Sequence, residues 1–167
     1  MAAAAGLAAI GVATFSGSLA QAEDDPCHWT IVGEYIDESG GGVVGMFISG
    51  TADNDFIIGT PGPDVIVGRG GNDVILGGDG NDTILGENGS DLIYGEAGSD
   101  NLSGNLCDDE VRGNDGADSV NGDMGDDELH GGDGIDSLDG GPGPDFGDGG
   151  LPVGDVCVNL AGMVNCP

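Results

Sequence analysis

The chain has 167 residues, of which 37 are Gly and 31 are Asp or Glu, while Lys and Arg together number two. The formal net charge of −29 argues against nucleic acid, anionic lipid or any other polyanion as the natural partner. Aromatic residues make up only 4% of the chain, so a core of bulky side chains is excluded, and this composition is typical of disorder unless external cations neutralise the carboxylates.

Residues 1–22 contain no charged side chain and are mainly small or apolar. They end in Ala20-Gln21-Ala22, immediately before the first acidic residue. An apolar stretch followed by a small-x-small motif is typical of a secretory signal peptide, so we expect a secreted, extracellular protein cleaved after Ala22, with attachment to the cell surface as a variant. A membrane anchor is the alternative, but the stretch is short and interrupted by Gly and Ser. We expect no membrane insertion.

Residues 23–49 contain two short apolar segments, 28–32 and 43–48, on either side of an acidic, Gly-rich connection. Such segments are typical of strands. A repetitive fold needs its first open edge to be covered, so we predict an N-terminal cap over residues 23–49. A ligand-binding role for Trp29 is the alternative.

Residues 50–148 are eleven consecutive nonapeptides without an insertion. Position one is always Gly, position four is Gly in nine repeats, and position eight is aliphatic in ten, failing only at Gly147. Position six is always Asp, namely Asp55, Asp64, Asp73, Asp82, Asp91, Asp100, Asp109, Asp118, Asp127, Asp136 and Asp145. Composition alone would not keep this phase, so the repeat is a structural unit.

The segments GGDGNDTIL (residues 77–85) and GGDGIDSLD (residues 131–139) resemble the calcium-binding nonapeptide of RTX (hemolysin-type) proteins. The resemblance implies an all-β fold, a right-handed parallel β-roll (a β-solenoid) with two nonapeptides per coil and small caps at both ends. It also implies that each Ca²⁺ bridges the position-six Asp of one turn and carbonyl oxygens of its neighbour. All eleven position-six Asp residues are therefore candidate metal ligands.

Physical reasoning from the residues agrees with that fold. Glycines at positions one and four permit the positive φ angles of tight turns, and the last three residues of each repeat predict a short strand whose middle side chain points inward. Coils of 18 residues would stack about 4.8 Å apart and place like charges above one another along each edge. Ca²⁺ accepts carboxylate and carbonyl oxygens together and suits such turns better than Mg²⁺. Eleven repeats contain nine pairs that lie two repeats apart, so one ion between the members of each pair gives at most about nine ions.

Residues 149–167 lose the period, and we predict a C-terminal cap held by a Cys157–Cys166 disulfide. Cys27 and Cys107 would then pair by subtraction, since an even number of cysteines in an exported chain favours disulfides. Zinc is the alternative for four cysteines, but no CxxC spacing occurs.

Positions seven and nine of each repeat should face outward. They are mostly apolar in repeats one to five and polar in repeats six to ten. We expect residues 23–49 to cover the apolar N-terminal half of the roll. A protein or cell-surface partner, or a dimer interface, is the alternative.

Recognisable catalytic motifs are missing from the sequence, so we predict that the protein is not an enzyme. We predict a secreted, calcium-binding structural or adhesive surface module that folds on binding Ca²⁺. The alternative is a non-catalytic carrier or secretion-type domain related to exported RTX enzymes.

Overall fold

The computed structural model describes residues 30–32, 45–152 and 154–166. The predicted signal peptide and most of the predicted N-terminal cap, including Cys27 and Trp29, lie outside this part of the chain. The described residues form strands and turns and contain no helix, so none of them belongs to a helix that could span a membrane.

The described part of the chain contains fifteen strands. In chain order they are β1 (Thr30–Val32), β2 (Phe47–Ser49), β3 (Asp55–Ile58), β4 (Val65–Gly70), β5 (Val74–Asp79), β6 (Thr83–Asn88), β7 (Leu92–Ala97), β8 (Asn101–Leu106), β9 (Glu110–Asp115), β10 (Ser119–Met124), β11 (Glu128–Asp133), β12 (Ser137–Asp139), β13 (Phe146–Leu151), β14 (Val156–Val158) and β15 (Gly162–Val164).

The strands alternate between two parallel sheets. The odd-numbered strands form an eight-stranded sheet in the order β1-β3-β5-β7-β9-β11-β13-β15, and the even-numbered strands form a seven-stranded sheet from β2 to β14. Paired residues are usually 18 positions apart, as Ile75 is from Ile93 and Ile66 from Ile84. This confirms the predicted all-β parallel β-roll with two nonapeptides per coil.

Most strands are longer than the three residues that the apolar pattern predicted. Strand β5 runs from position seven of one repeat to position three of the next, and it bends at position two, where Gly78 has φ 103°. Position four also has a positive φ in several repeats, as at Gly80 (φ 135°). The prediction that position one needs a positive φ was wrong, because the position-one glycines do not adopt it.

The position-eight side chains form the core, as predicted. All ten are fully buried, and they are Ile57, Ile66, Ile75, Ile84, Ile93, Leu102, Val111, Val120, Leu129 and Leu138. Positions seven and nine on either side are half-buried or exposed. Gly147 interrupts the row in the eleventh repeat, and the Leu160 side chain fills the space where its side chain would lie.

The sheets continue beyond the last regular nonapeptide. Leu138 is aligned with Cys157 across β12 and β14, and Gly147 with Met163 across β13 and β15. The predicted Cys157–Cys166 disulfide is confirmed, with a Cα–Cα distance of 5.9 Å. Cys107 is exposed and has no disulfide within the described residues, and its predicted pairing with Cys27 involves a residue outside them.

Candidate metal centre

The position-six Asp residues form two columns, one at each edge of the roll. The first column contains Asp55, Asp73, Asp91, Asp109, Asp127 and Asp145, and the second contains Asp64, Asp82, Asp100, Asp118, Asp136 and Asp155. Each of these side chains is at most 3% exposed. The structure thus brings the eleven candidate residues together in two columns and adds Asp155 as a twelfth member.

Each column is held together by one repeated hydrogen bond. The backbone N–H of an Asp donates to Oδ1 of the Asp in the next coil, as from Asp64 to Asp82 at 2.7 Å and from Asp82 to Asp100 at 2.8 Å. This contact fixes one carboxylate oxygen of each acceptor Asp and satisfies a buried amide. It explains why the repeat needs a short acceptor side chain at position six.

The other carboxylate oxygen has no such contact in most of the repeats. Oδ2 is buried and lacks a hydrogen-bond partner in ten residues, which are Asp73, Asp82, Asp91, Asp100, Asp109, Asp118, Asp127, Asp136, Asp145 and Asp155. Leaving a buried polar atom unsatisfied is costly and calls for an explanation. A regular row of them, each on a carboxylate, fits a site for cations.

The glycines at position one keep open the space beside these oxygens. A Cβ on Gly77 would lie 2.7 Å from Asp82 Oδ2 and 2.7 Å from the carbonyl oxygen of Gly95 in the next coil. A Cβ on Gly131 would lie 2.5 Å from both Asp136 Oδ2 and the Gly149 carbonyl oxygen. Position one therefore requires Gly because a carboxylate oxygen and a carbonyl oxygen face the same point.

The chemistry of this donor set fits calcium. Among the described residues, no three side chains of His, Cys, Asp or Glu converge on one point, so an ion beside Asp82 would depend on backbone carbonyls as well as carboxylate oxygen. Ca²⁺ accepts six to eight oxygens of both kinds in flexible geometry. The softer nitrogen and sulfur ligands that zinc prefers do not contribute to the two columns.

Burial makes the charged form of these carboxylates unfavourable in the absence of a cation. Desolvation raises the pKa of Asp109 to about 8 and the pKa of Asp73 to about 7, against an ordinary value of 3.8. The hydrogen bond from the backbone N–H of the Asp in the preceding coil opposes this rise in pKa, and the charges of neighbouring carboxylates increase the rise. The same causes raise the pKa to about 6 at Asp82, Asp118 and Asp127. A cation would remove this penalty.

Sequence reasoning missed Asp155 because the period fails there. Asp155 follows Asp145 by ten residues instead of nine, yet its Oδ1 accepts the Asp136 amide at 2.9 Å like the other members of the column. The segment Gly154-Asp155 before Val156 was the available signal. By contrast, Asp79 and Asp133 at position three are exposed, as their place in the turn suggests.

A family model describing the RTX calcium-binding nonapeptide repeat in four copies matches residues 49–84, 76–106, 85–120, 107–138 and 121–151. Together these matches span 49–151, well over half of the chain. Neither a curated protein nor a solved structure matches the chain.

Proposed function

The chain belongs to the RTX calcium-binding nonapeptide repeat family, and from this premise we propose that it is a protein whose β-roll folds by binding several calcium ions along the two Asp columns. The family is a calcium-binding structural module that is not catalytic by itself. The observation that carries the proposal is the row of buried Asp Oδ2 atoms without hydrogen-bond partners.

Calcium would resolve the electrostatic problem of this fold. The columns stack buried carboxylates at every second repeat in a chain of net charge −29, and the aliphatic core consists of only two thin rows. Ordering so many glycines costs conformational entropy. Binding free energy at sites that exist only in the folded chain is also folding free energy. Calcium binding and folding are therefore one event in this proposal.

The test is a calcium titration followed by far-UV circular dichroism. We expect a disordered spectrum in chelator and a β spectrum in about 10 mM Ca²⁺, roughly tenfold above the weakest dissociation constants of extracellular calcium modules. Mg²⁺ at the same concentration and NaCl at the same ionic strength are the controls, because general screening of charge would restore the spectrum in all three. A β spectrum that chelator leaves unchanged would contradict the proposal.

We also propose that the roll is exported and acts as a structural or adhesive module. The uncharged, small-residue character of residues 1–22 supports export. N-terminal sequencing of the protein from the culture medium should begin at Glu23. A mature chain that still contains residues 1–22, or one confined to the cells, would contradict export.

An apolar surface in the N-terminal half supports the adhesive role. Phe47 is 70% exposed and Val65 41% exposed, and a groove of about 590 Å³ is lined by Phe47, Val67 and Arg69 among others. We expect that replacing Phe47 and Val65 by Ser weakens calcium-dependent attachment of the purified roll to the producing cells. The control is Ser119→Ala in the polar half. Equal attachment of both variants and the parent would contradict this role.

A further inference from the structure

The first Asp in each column differs from all the others in its surroundings. Thr51 N–H donates to Asp55 Oδ2 at 2.5 Å, and Thr60 N–H donates to Asp64 Oδ2 at 2.6 Å. Both threonine hydroxyls also lie 3.0 Å from the same Oδ2 atoms. The oxygen that is unsatisfied in ten later carboxylates is thus occupied by protein donors in these two.

Asp64 is satisfied at both of its oxygens. Its Oδ1 accepts the backbone N–H of Met46 at 2.6 Å, which continues the amide-to-carboxylate contact of the column. Its Oδ2 accepts from Thr60. No unsatisfied oxygen is left at this position to require a cation.

The residue type at position two causes the difference. In the later repeats this position is left-handed, and it is occupied by Arg69, Gly78, Glu87, Glu96, Asn105, Asn114, Asp123, Gly132, Gly141 and Gly150. A β-branched residue strongly disfavours this conformation, and neither Thr51 nor Thr60 adopts it. Their backbone N–H groups instead face the carboxylates.

The opposite end of the roll shows the reverse situation. Asp155 is 2% exposed and its Oδ2 has no hydrogen-bond partner. A Cβ on Gly149 would lie 2.5 Å from that oxygen and 2.9 Å from the carbonyl oxygen of Asn165. The convergence of carboxylate and carbonyl oxygens therefore continues past the last regular nonapeptide.

Two asparagines supply the final carbonyls in place of glycines of a further coil. The Asn159 carbonyl oxygen lies beside Gly140 as the Asn165 carbonyl oxygen lies beside Gly149, and both asparagines have φ 54°. Their side-chain amides donate to Asp139 and Asp148 at 2.7 Å. These hydrogen bonds fix the two carbonyls at the end of the roll.

We propose that the calcium ligands run from Asp73 to Asp155, one repeat further toward the C terminus than the regular nonapeptides indicate. The carbonyls of Asn159 and Asn165 complete the last two sites, and Thr51 and Thr60 take the place of an ion at Asp55 and Asp64. The first coil is then closed by hydrogen bonds without metal. This inference rests on the proposed calcium-binding function and specifies which carboxylates perform it.

The test counts bound calcium in a matched set of isosteric variants. Asp64→Asn, Asp100→Asn and Asp155→Asn each remove one charge from the second column. Calcium content would be measured by equilibrium dialysis and elemental analysis at saturating Ca²⁺, with circular dichroism to confirm the β spectrum. We expect Asp64→Asn to bind as many ions as the parent protein, and Asp100→Asn and Asp155→Asn to bind about one fewer each.

A second pair of variants covers the case in which Asp64→Asn does not fold. Thr60→Val keeps the β-branched shape and the N–H donor, so its ion count should equal that of the parent. Thr60→Gly permits a positive φ and should bind one additional ion. An ion lost from Asp64→Asn or Thr60→Val, none lost from Asp155→Asn, or none gained by Thr60→Gly would overturn the inference. A parent protein that binds no calcium would instead overturn the proposed function.

Discussion

Replacing Asp82 by Asn should have opposite effects on stability with and without calcium. Asp82 is 2% exposed, its Oδ1 accepts the Asp64 amide at 2.7 Å, and its Oδ2 has no hydrogen-bond partner. Asparagine retains an oxygen for the amide of Asp64 and removes the charge. The substitution therefore separates the ion-binding role of the side chain from its hydrogen bond.

The two effects are similar in size. At a free calcium concentration about 100 times the dissociation constant, one bound ion contributes about 2.7 kcal/mol to stability, which the variant would lose. Without calcium, burial raises the pKa of Asp82 from 3.8 to about 6, and the charged carboxylate costs the folded state between about 1 and 3 kcal/mol at pH 7 once access of water to the edge is allowed for. The variant would gain that amount.

The assay is urea unfolding followed by circular dichroism, once in saturating Ca²⁺ and once in chelator. An excluded osmolyte added to the chelator sample would populate the folded state. Two further variants serve as controls. Asp79→Asn removes the same charge from an exposed position and should change stability by no more than about 0.5 kcal/mol. Asp82→Ala also leaves the buried Asp64 amide unsatisfied, which should lower the free energy of unfolding by a further amount of about 1 to 3 kcal/mol both in calcium and in chelator.

Two results would refute this reasoning. If Asp82→Asn destabilises the roll equally in calcium and in chelator, the carboxylate has only a hydrogen-bonding role. If Asp79→Asn raises the calcium midpoint of folding as much as Asp82→Asn does, general charge repulsion controls folding, and position six has no special part in ion binding.

Three further predictions follow from the same structure. Protons should replace calcium in stabilising the roll, because the pKa values of Asp73, Asp109 and Asp118 are raised to between about 6 and 8 in the metal-free fold. The stabilisation by protonation is complete below about pH 4 and is lost as the pH rises from about 6 to about 8. Acid should therefore release calcium, while the β signal in chelator should be stronger at pH 4 than at pH 8. A β signal in chelator that weakens on acidification would show that these pKa values are not raised. Ile93→Ala, in a fully buried side chain, should cost about 2 to 5 kcal/mol in calcium-saturated urea unfolding, and a loss below about 1 kcal/mol would mean that the aliphatic row is not a packed core. Gly77→Ala should abolish calcium binding beside Asp82, because its Cβ would lie between two oxygens 2.7 Å away. The control is Gly70→Ala, whose Cβ would have its closest neighbours at 3.8 Å or more and should leave the ion count and the calcium midpoint unchanged. Equal calcium binding by both variants would argue against a site at Gly77.

The regular part of the repeat could be interpreted from the sequence because it reflects local backbone geometry. Asp at position six and an aliphatic residue at position eight recur without an insertion over eleven nonapeptides. Alternation within a strand puts position eight inside and its neighbours outside. Two nonapeptides per coil then give the observed register of 18 residues. The two Asp columns and the aliphatic rows were therefore predictable residue by residue.

The role of glycine was predicted only in part, because close approach between coils cannot be read from one repeat. Position four was correctly associated with positive φ, as at Gly80. Position one needs Gly for a different reason: at Gly77, the Asp82 carboxylate and the carbonyl of Gly95 in the next coil leave no space for a Cβ. Likewise, Leu160 fills the space above Gly147 from outside the repeats, which no period predicts.

The sequence by itself determined the coil, its columns of carboxylates and its core, because each depends on residues within one nonapeptide. Only the tertiary structure decided which carboxylates keep an unsatisfied oxygen. That property depends on how the backbone turns at position two, where Thr51 and Thr60 face Asp55 and Asp64, and on which strand aligns beyond the last repeat, where Asp155 joins the column. Both are contacts between segments, and the physical reason is that a buried oxygen is satisfied or left unsatisfied by its neighbours in space.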